Sequence, residues 1–139
     1  MEITKGEYER LARFRRALRR FLRFSELEAR KENLTPQHHQ MMLAIKGMPE
    51  RDWATIGELA EALQLHHNAV VQLVDRAEAL ELVERVPDQQ DRRVVKVVLT
   101  PNGIDKLNRL TTLHRDELRR LREELVAALT EETADDTHP

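Results

Sequence analysis

Between Val70 and Leu99 the spacing of apolar residues changes period, and this change restricts the fold more than any other feature of the chain. Up to Leu80 the apolar residues Val70, Leu73, Val74, Ala77 and Leu80 recur every three or four positions, as on one buried face of a helix. Beyond them lie two short β-rich runs, Val83-Glu84-Arg85-Val86 and Val94 to Leu99, separated by the polar stretch Pro87 to Arg93. Two such runs around a polar turn read as a hairpin. Upstream, Thr55-Ile56-Gly57-Glu58 has the form of a capping box. It opens a short helix with Leu59, Ala60 and Leu63 on one face. A turn around Gln64 to His66 leads into the helix from His67 to about Leu80. Helix, tight turn, helix and hairpin is the order of a winged helix-turn-helix.

The flanks are helical. Residues 8–31 carry an apolar stripe of Tyr8, Leu11, Phe14, Leu18, Phe21 and Leu22, among arginines at 10, 13, 15, 16, 19, 20 and 23. Thr35 is a helix N-cap and Pro36 suits the first helical position. That helix reaches about Lys46, with Gly47 at its C-terminal cap and a loop from Pro49 to Trp53. Thr100-Pro101 repeats the start signal. No Gly or Pro follows from Ile104 to about Leu129, so one long helix is expected. Its heptad-like seam of Leu107, Thr111, His114, Leu118, Leu121, Leu125 and Ala128 calls for a partner helix. The expected fold is mainly α with a small β-hairpin wing. A single domain spans 1–139, with a winged lobe at 34–99, dimerisation helices at 8–31 and 101–130, and a disordered acidic tail at 131–139.

Composition narrows the chemistry. A chain of 139 residues suits one domain. Aromatic content of 4% leaves an aliphatic core, and oligomerisation is one way to support a small core. The net charge of -2 is not that of a protein that coats nucleic acid, so DNA binding must rest on a local basic patch. The absence of cysteine removes disulfides, thiolate catalysis and Cys-ligated zinc. No apolar run approaches membrane-spanning length and the N-terminus lacks a signal-peptide core, so the cytosol is expected. No Gly-rich phosphate loop or nucleophile elbow appears, so neither enzyme activity nor a cofactor is expected. The histidines at 38, 39, 66, 67 and 114 do not form a ligand set: adjacent ones point about 100° apart on a helix. No metal site is expected, and His114 is assigned to the interface seam.

An α-helix fits the major groove of B-DNA and reads it with side chains near its N-terminus. On the helix from His67, the buried stripe leaves His67, Asn68, Val71, Gln72 and Arg76 outward. Asn68 and Gln72 share a face, and both amides can pair bidentately with adenine. Arg76 lies a turn further on, at phosphate distance. An ordinary solvated face would carry similar residues; the hairpin that follows favours DNA. In the hairpin tip, Arg92 and Arg93 have no packing role, and arginine gains from the negative potential of a narrow minor groove. Asp91 would repel phosphate, but it can brace Arg93 through a charge-assisted hydrogen bond.

Several pieces together resemble the MarR (multiple antibiotic resistance regulator) family. They are Leu34-Thr35-Pro36-Gln37, Ile56-Gly57-Glu58-Leu59-Ala60, Val70 through Leu82-Val83-Glu84-Arg85, Asp91-Arg92-Arg93 and Leu99-Thr100-Pro101-Asn102-Gly103. The resemblance implies a symmetric homodimer with interlocked terminal helices and a pseudo-palindromic operator in double-stranded DNA. It also implies a repressor released by a small, often aromatic or anionic, effector. Asp91 and Arg93 fall at the family's wing brace and wing contact. Leu11, Leu18, Leu107, His114, Leu118, Leu121 and Leu125 are the expected dimer contacts. The first helix's arginines are expected to pair with Asp116, Glu117, Glu123 and Glu124. Phe21, Leu22, Met41, Met42, Ile45 and Trp53 either line a ligand pocket or belong to the core. Two departures stand out. Glu81 replaces the family's usual Gly, and a forced left-handed residue costs about 1 kcal/mol, so the helix is expected to end differently. One long helix, rather than two, follows the wing. The alternative reading is a winged-helix protein-interaction module without DNA binding.

Overall fold

The computed structural model describes residues 1–130; the expected tail at 131–139 lies outside them. In chain order the elements are α1 (Lys5–Lys31), α2 (Pro36–Lys46), β1 (Trp53–Ala54), α3 (Ile56–Leu63), α4 (His67–Ala79), β2 (Val83–Pro87), β3 (Val95–Leu99) and α5 (Pro101–Thr130). The region after the wing is one helix. The chain divides into two compact units, Ala29–Leu110 and a second made of residues 1–28 with the chain from Thr111 onward.

Helix starts follow local chemistry. α1 begins at Lys5, ahead of the apolar stripe that opens at Tyr8. Thr4 N–H donates to Glu7 Oε2 at 2.7 Å while Glu7 N–H donates to Thr4 Oγ1 at 3.2 Å, a reciprocal cap that lies outside the apolar pattern. Thr35 Oγ1 accepts from His38 N–H at 3.1 Å at the start of α2. At α3, Thr55 and Glu58 complete both halves of the expected capping box.

The C-terminal ends of α1, α3 and α4 share one device. Asn33, Gln64 and Glu81 have φ of 61°, 54° and 57°, each in the left-handed region. Each is followed by a residue whose amide reaches back into the helix. Leu34 N–H donates to Ala29 O at 2.9 Å, Leu65 N–H to Ala60 O at 3.0 Å, and Leu82 N–H to Ala77 O at 2.9 Å, as in the Schellman motif. This corrects the expectation that Glu81 would end α4 in another way. The cap geometry holds although the residue is not glycine. Leu80, expected on the buried stripe, is 53% exposed, because α4 stops at Ala79 and Leu80 no longer follows the helical period.

In the unit Ala29–Leu110, the three strands form an antiparallel sheet in the order β1-β3-β2. The hairpin pairs Val83 with Leu99 and Pro87 with Val95. β1 pairs Trp53 with Val98 and Ala54 with Val97, a strand read from sequence as the end of a loop. Two residues are too few to show a period. The core joins Met41, Met42 and Ile45 of α2 to Leu59 of α3, Val70, Leu73, Val74 and Ala77 of α4, and Val83 and Val97 of the sheet. Full burial of each larger aliphatic side chain is worth about 1.5–3 kcal/mol. Leu107 and Leu110 of α5 complete this core.

In the other unit, α1 and α5 are tied by an ion pair from Arg20 to Glu124. His114 lies between Phe21 and Phe24, with ring centroids 5.9 and 5.2 Å away in edge-on geometry.

Candidate nucleic-acid interface

The helix-turn-helix and the wing are each built by local interactions and are joined by Arg85 of β2. The buried stripe of α4 fixes its rotation, which leaves His67, Asn68, Gln72 and Arg76 exposed and Val71 half-buried. His66, the N-cap, makes no side-chain cap, so the positive end of the helix dipole is not screened by a carboxylate or hydroxyl there.

α4 is fastened to the sheet by Arg85 of β2, whose place in this role the sequence did not reveal. Its guanidinium donates to Asp75 at 2.8 Å, to Glu78, and to the Val71 carbonyl at 3.5 Å. Its amide donates to Glu78 Oε2 at 3.3 Å. Burial works against the charge on Arg85, but its bonds to Asp75 and Glu78 outweigh that and hold its pKa above the ordinary value. The contact that orients α4 is thus also one that orients the hairpin.

The wing tip is organised by two aspartates. Asp91 Oδ1 accepts from Arg93 N–H at 3.1 Å and from Arg93 Nε at 3.0 Å, and Oδ2 accepts from Nη2 at 3.2 Å. The Arg93 guanidinium is thereby tied to Asp91 while its side chain stays 90% exposed; Arg92 is exposed beside it. Asp88 was not singled out in the sequence. Its Oδ2 accepts from the amides of Gln90 at 3.2 Å and Asp91 at 2.9 Å, and its Oδ1 meets Lys96 Nζ at 3.0 Å. The Arg93 bonds hold the Asp91 carboxyl below its usual pKa. The Asp91 amide and then Lys96 do the same for Asp88.

The junction from wing to α5 explains the Leu-Thr-Pro-Asn-Gly run. Thr100 Oγ1 donates to the Glu81 carbonyl at 2.6 Å and accepts from Gly103 N–H at 3.0 Å. Thr100 N–H donates to the Leu82 carbonyl at 3.0 Å. Gly103 lies against that same carbonyl: a Cβ built there would stand 2.2 Å from Leu82 O. Only glycine lets the two backbones approach so closely.

The remaining expected site residues fall in several environments. Met41, Met42 and Ile45 are fully buried core residues. The Trp53 ring carries two cations, Arg51 with Cζ 4.1 Å and Lys96 with Nζ 4.5 Å from its centroid. Phe21 packs on His114, and Leu22 is exposed. Of the expected interface residues, Leu107 is 2% exposed within the core of Ala29–Leu110. In the other unit Leu121 is buried, Leu18, His114 and Leu125 are half-buried, and Leu11 and Leu118 are 61% and 57% exposed. Glu124 pairs with Arg20 and Arg120, and Asp116 with Arg119 at 3.6 Å. No helix among the described residues is long and apolar enough to cross a membrane.

Comparison with known proteins places this geometry. The sequence model of the MarR family matches residues 32–94. Over 65 residues, 47% of this chain and 44% of the relative, the sequence is 42% identical to YsmB of Bacillus subtilis (strain 168), an uncharacterized HTH-type transcriptional regulator. This chain spans about half the length of the curated relatives it matches. Its fold is similar to that of AbsC, a MarR family transcriptional regulator from Streptomyces coelicolor. The TM-score is 0.73 at 21% identity, over 98% of this chain and 91% of that one. It is similar also to a mutant MarR from E. coli complexed with operator DNA, with a TM-score of 0.66 at 22% identity over 89% and 90% of the two chains. Residues 32–94 are thus similar to the MarR family sequence model, and the helices and winged sheet share the fold of the MarR-family structures.

Proposed function

We propose that this chain is a sequence-specific, DNA-binding transcriptional regulator that acts as a homodimer on a pseudo-palindromic operator. The observation that carries the reading is the wing. Arg93 is held out into solvent by a carboxylate that takes up its backbone amide and two of its guanidinium nitrogens. That arrangement lowers the entropy an arginine loses on entering a groove, and packing gives no reason for it. The exposed amides of Asn68 and Gln72 supply base-reading groups on α4. Arg76 supplies a phosphate contact. The operator complex of a protein with the same fold supports this use of the scaffold.

Dimerisation through α1 and α5 is supported by the large apolar side chains they leave exposed, including Leu11, Leu118, Val126 and Leu129. The family resemblance supports repression by operator occupancy, relieved by a small-molecule effector. The reading predicts half-sites about one helical turn, ~10 bp, apart. It is tested by selecting bound fragments from genomic DNA, with light scattering of the free protein alongside. A protein that retains no DNA at low salt, yet captures a protein partner independently of salt, would replace this reading with that of an interaction module.

A further inference from the structure

The wing is tied to the helix-turn-helix by a chain of contacts that passes through the single tryptophan. Trp53 pairs with Val98 on β3, and Lys96 lies two residues earlier on the same strand, hence on the same face of the sheet. A diagonal neighbour of this kind is within reach of an aromatic and a long side chain, and Lys96 Nζ stands 4.5 Å from the Trp53 ring centroid. From there the contacts run both ways. Towards the tip, Lys96 reaches Asp88 Oδ1 at 3.0 Å, while Asp88 Oδ2 holds the Gln90 and Asp91 amides. Towards the helices, Arg51 lies over the same ring at 4.1 Å and pairs with Glu58 Oε2. Glu58 Oε1 caps α3 by accepting from Thr55 N–H at 3.0 Å. Each carboxylate in the path spends one oxygen on a local turn or cap and the other on the next link.

We infer that Trp53, with Arg51 and Lys96 over its ring, is the strut that aims the wing, and that Trp53 and Lys96 are positioning residues for Arg92 and Arg93. The consequence for DNA rests on the function proposed above; the mechanical link does not. A hairpin without the strut would still be paired in its sheet and still carry Arg93 braced by Asp91. Its tip would lose the connection from Asp88 back to the start of α3.

The test has two arms. Hydrogen exchange on the DNA-free full chain reads the strut directly. Trp53→Leu and Lys96→Met should each accelerate exchange at Gln90, Asp91 and Val94 by about tenfold or more, while amides of the α4 core such as Val74 keep their rates. Trp53→Phe, which retains a weaker ring, should fall between. Unchanged wing exchange in Lys96→Met overturns the inference, as does an acceleration shared equally with the core. The second arm measures affinity for a selected DNA fragment in a double-mutant cycle. Arg93→Ala should weaken the wild type about tenfold but the Lys96→Met variant less than about threefold. A full tenfold loss in both backgrounds overturns the positioning role. If the wild type binds no DNA, the proposed function fails while the exchange arm still decides the strut.

Discussion

Gly103→Ala measures how firmly the wing is joined to α5. The added methyl would stand 2.2 Å from the Leu82 carbonyl oxygen, whereas an ordinary carbon–oxygen contact is about 3.3 Å. One backbone must therefore retreat by roughly 1 Å. Leu82 has little freedom to do so. Its amide is held by Ala77 O at 2.9 Å and its carbonyl by Thr100 N–H at 3.0 Å. Overpacking of this kind costs about 1–3 kcal/mol, and opening the Thr100 bond adds about 1 kcal/mol. The expected loss is about 2–4 kcal/mol, a large share of a typical total of about 5–15 kcal/mol. Urea unfolding followed by far-UV circular dichroism, at one fixed protein concentration, should show the midpoint falling by about 1–2 M. Gly57→Ala is the control. Nothing lies within 4 Å of a Cβ at Gly57, and alanine in the first turn of α3 should stabilise by up to about 0.5–1 kcal/mol. Equal midpoints for Gly103→Ala and wild type would refute the close-approach argument.

Other outcomes follow from the same geometry. Glu81→Gly should stabilise the chain by about 0.5–1 kcal/mol, since relief of the left-handed strain, about 1–2 kcal/mol, exceeds the unfolded-state freedom that glycine regains; a lower melting temperature would contradict the strained cap. His38 is 4% exposed, and burial first, then Arg76, push its pKa below the ordinary imidazole value. The unfolded chain binds that proton more readily, so stability is full above about pH 7.5 and declines as pH falls through about 6.5. His38→Leu should flatten that slope, and an unchanged slope would exclude His38 as its source. The lowered pKa values of Asp88 and Asp91 place their stabilising contribution above the unfolded carboxylate range. It is lost as pH falls below about 4, so the two windows separate on one titration.

Much of this architecture was legible because it is encoded locally. The capping box at Thr55 and Glu58, the α4 stripe and the two β-rich runs each state their structure within a few residues. So does the brace from Asp91 to Arg93, which closes over two positions. What escaped notice is non-local or too short. β1 has two residues and no period. Arg85 reaches back to Asp75 and Glu78 across a turn, and the path from Lys96 through Trp53 exists only once β1 pairs with β3. The α5 seam shows a further limit. Leu107 and Leu118 share one heptad pattern, yet Leu107 is core of its own chain and Leu118 lies exposed, and spacing alone does not separate those uses. At Glu81 the left-handed cap forms although the residue is not glycine. The bonds from Thr100 and Asn102 to the Glu81 carbonyl hold the left-handed cap in place.

The central claim is that α4 and the wing read DNA together, and selection of bound fragments from a random DNA pool, with wild type, Gln72→Ala and Arg93→Ala in parallel, tests it most directly. The account predicts that wild type enriches a pseudo-palindrome with half-sites about 10 bp apart. Gln72→Ala should enrich the same site with relaxed choice at one position per half-site, and Arg93→Ala should bind all sequences more weakly. Recovery of no fragment above the protein-free control at low salt would contradict it.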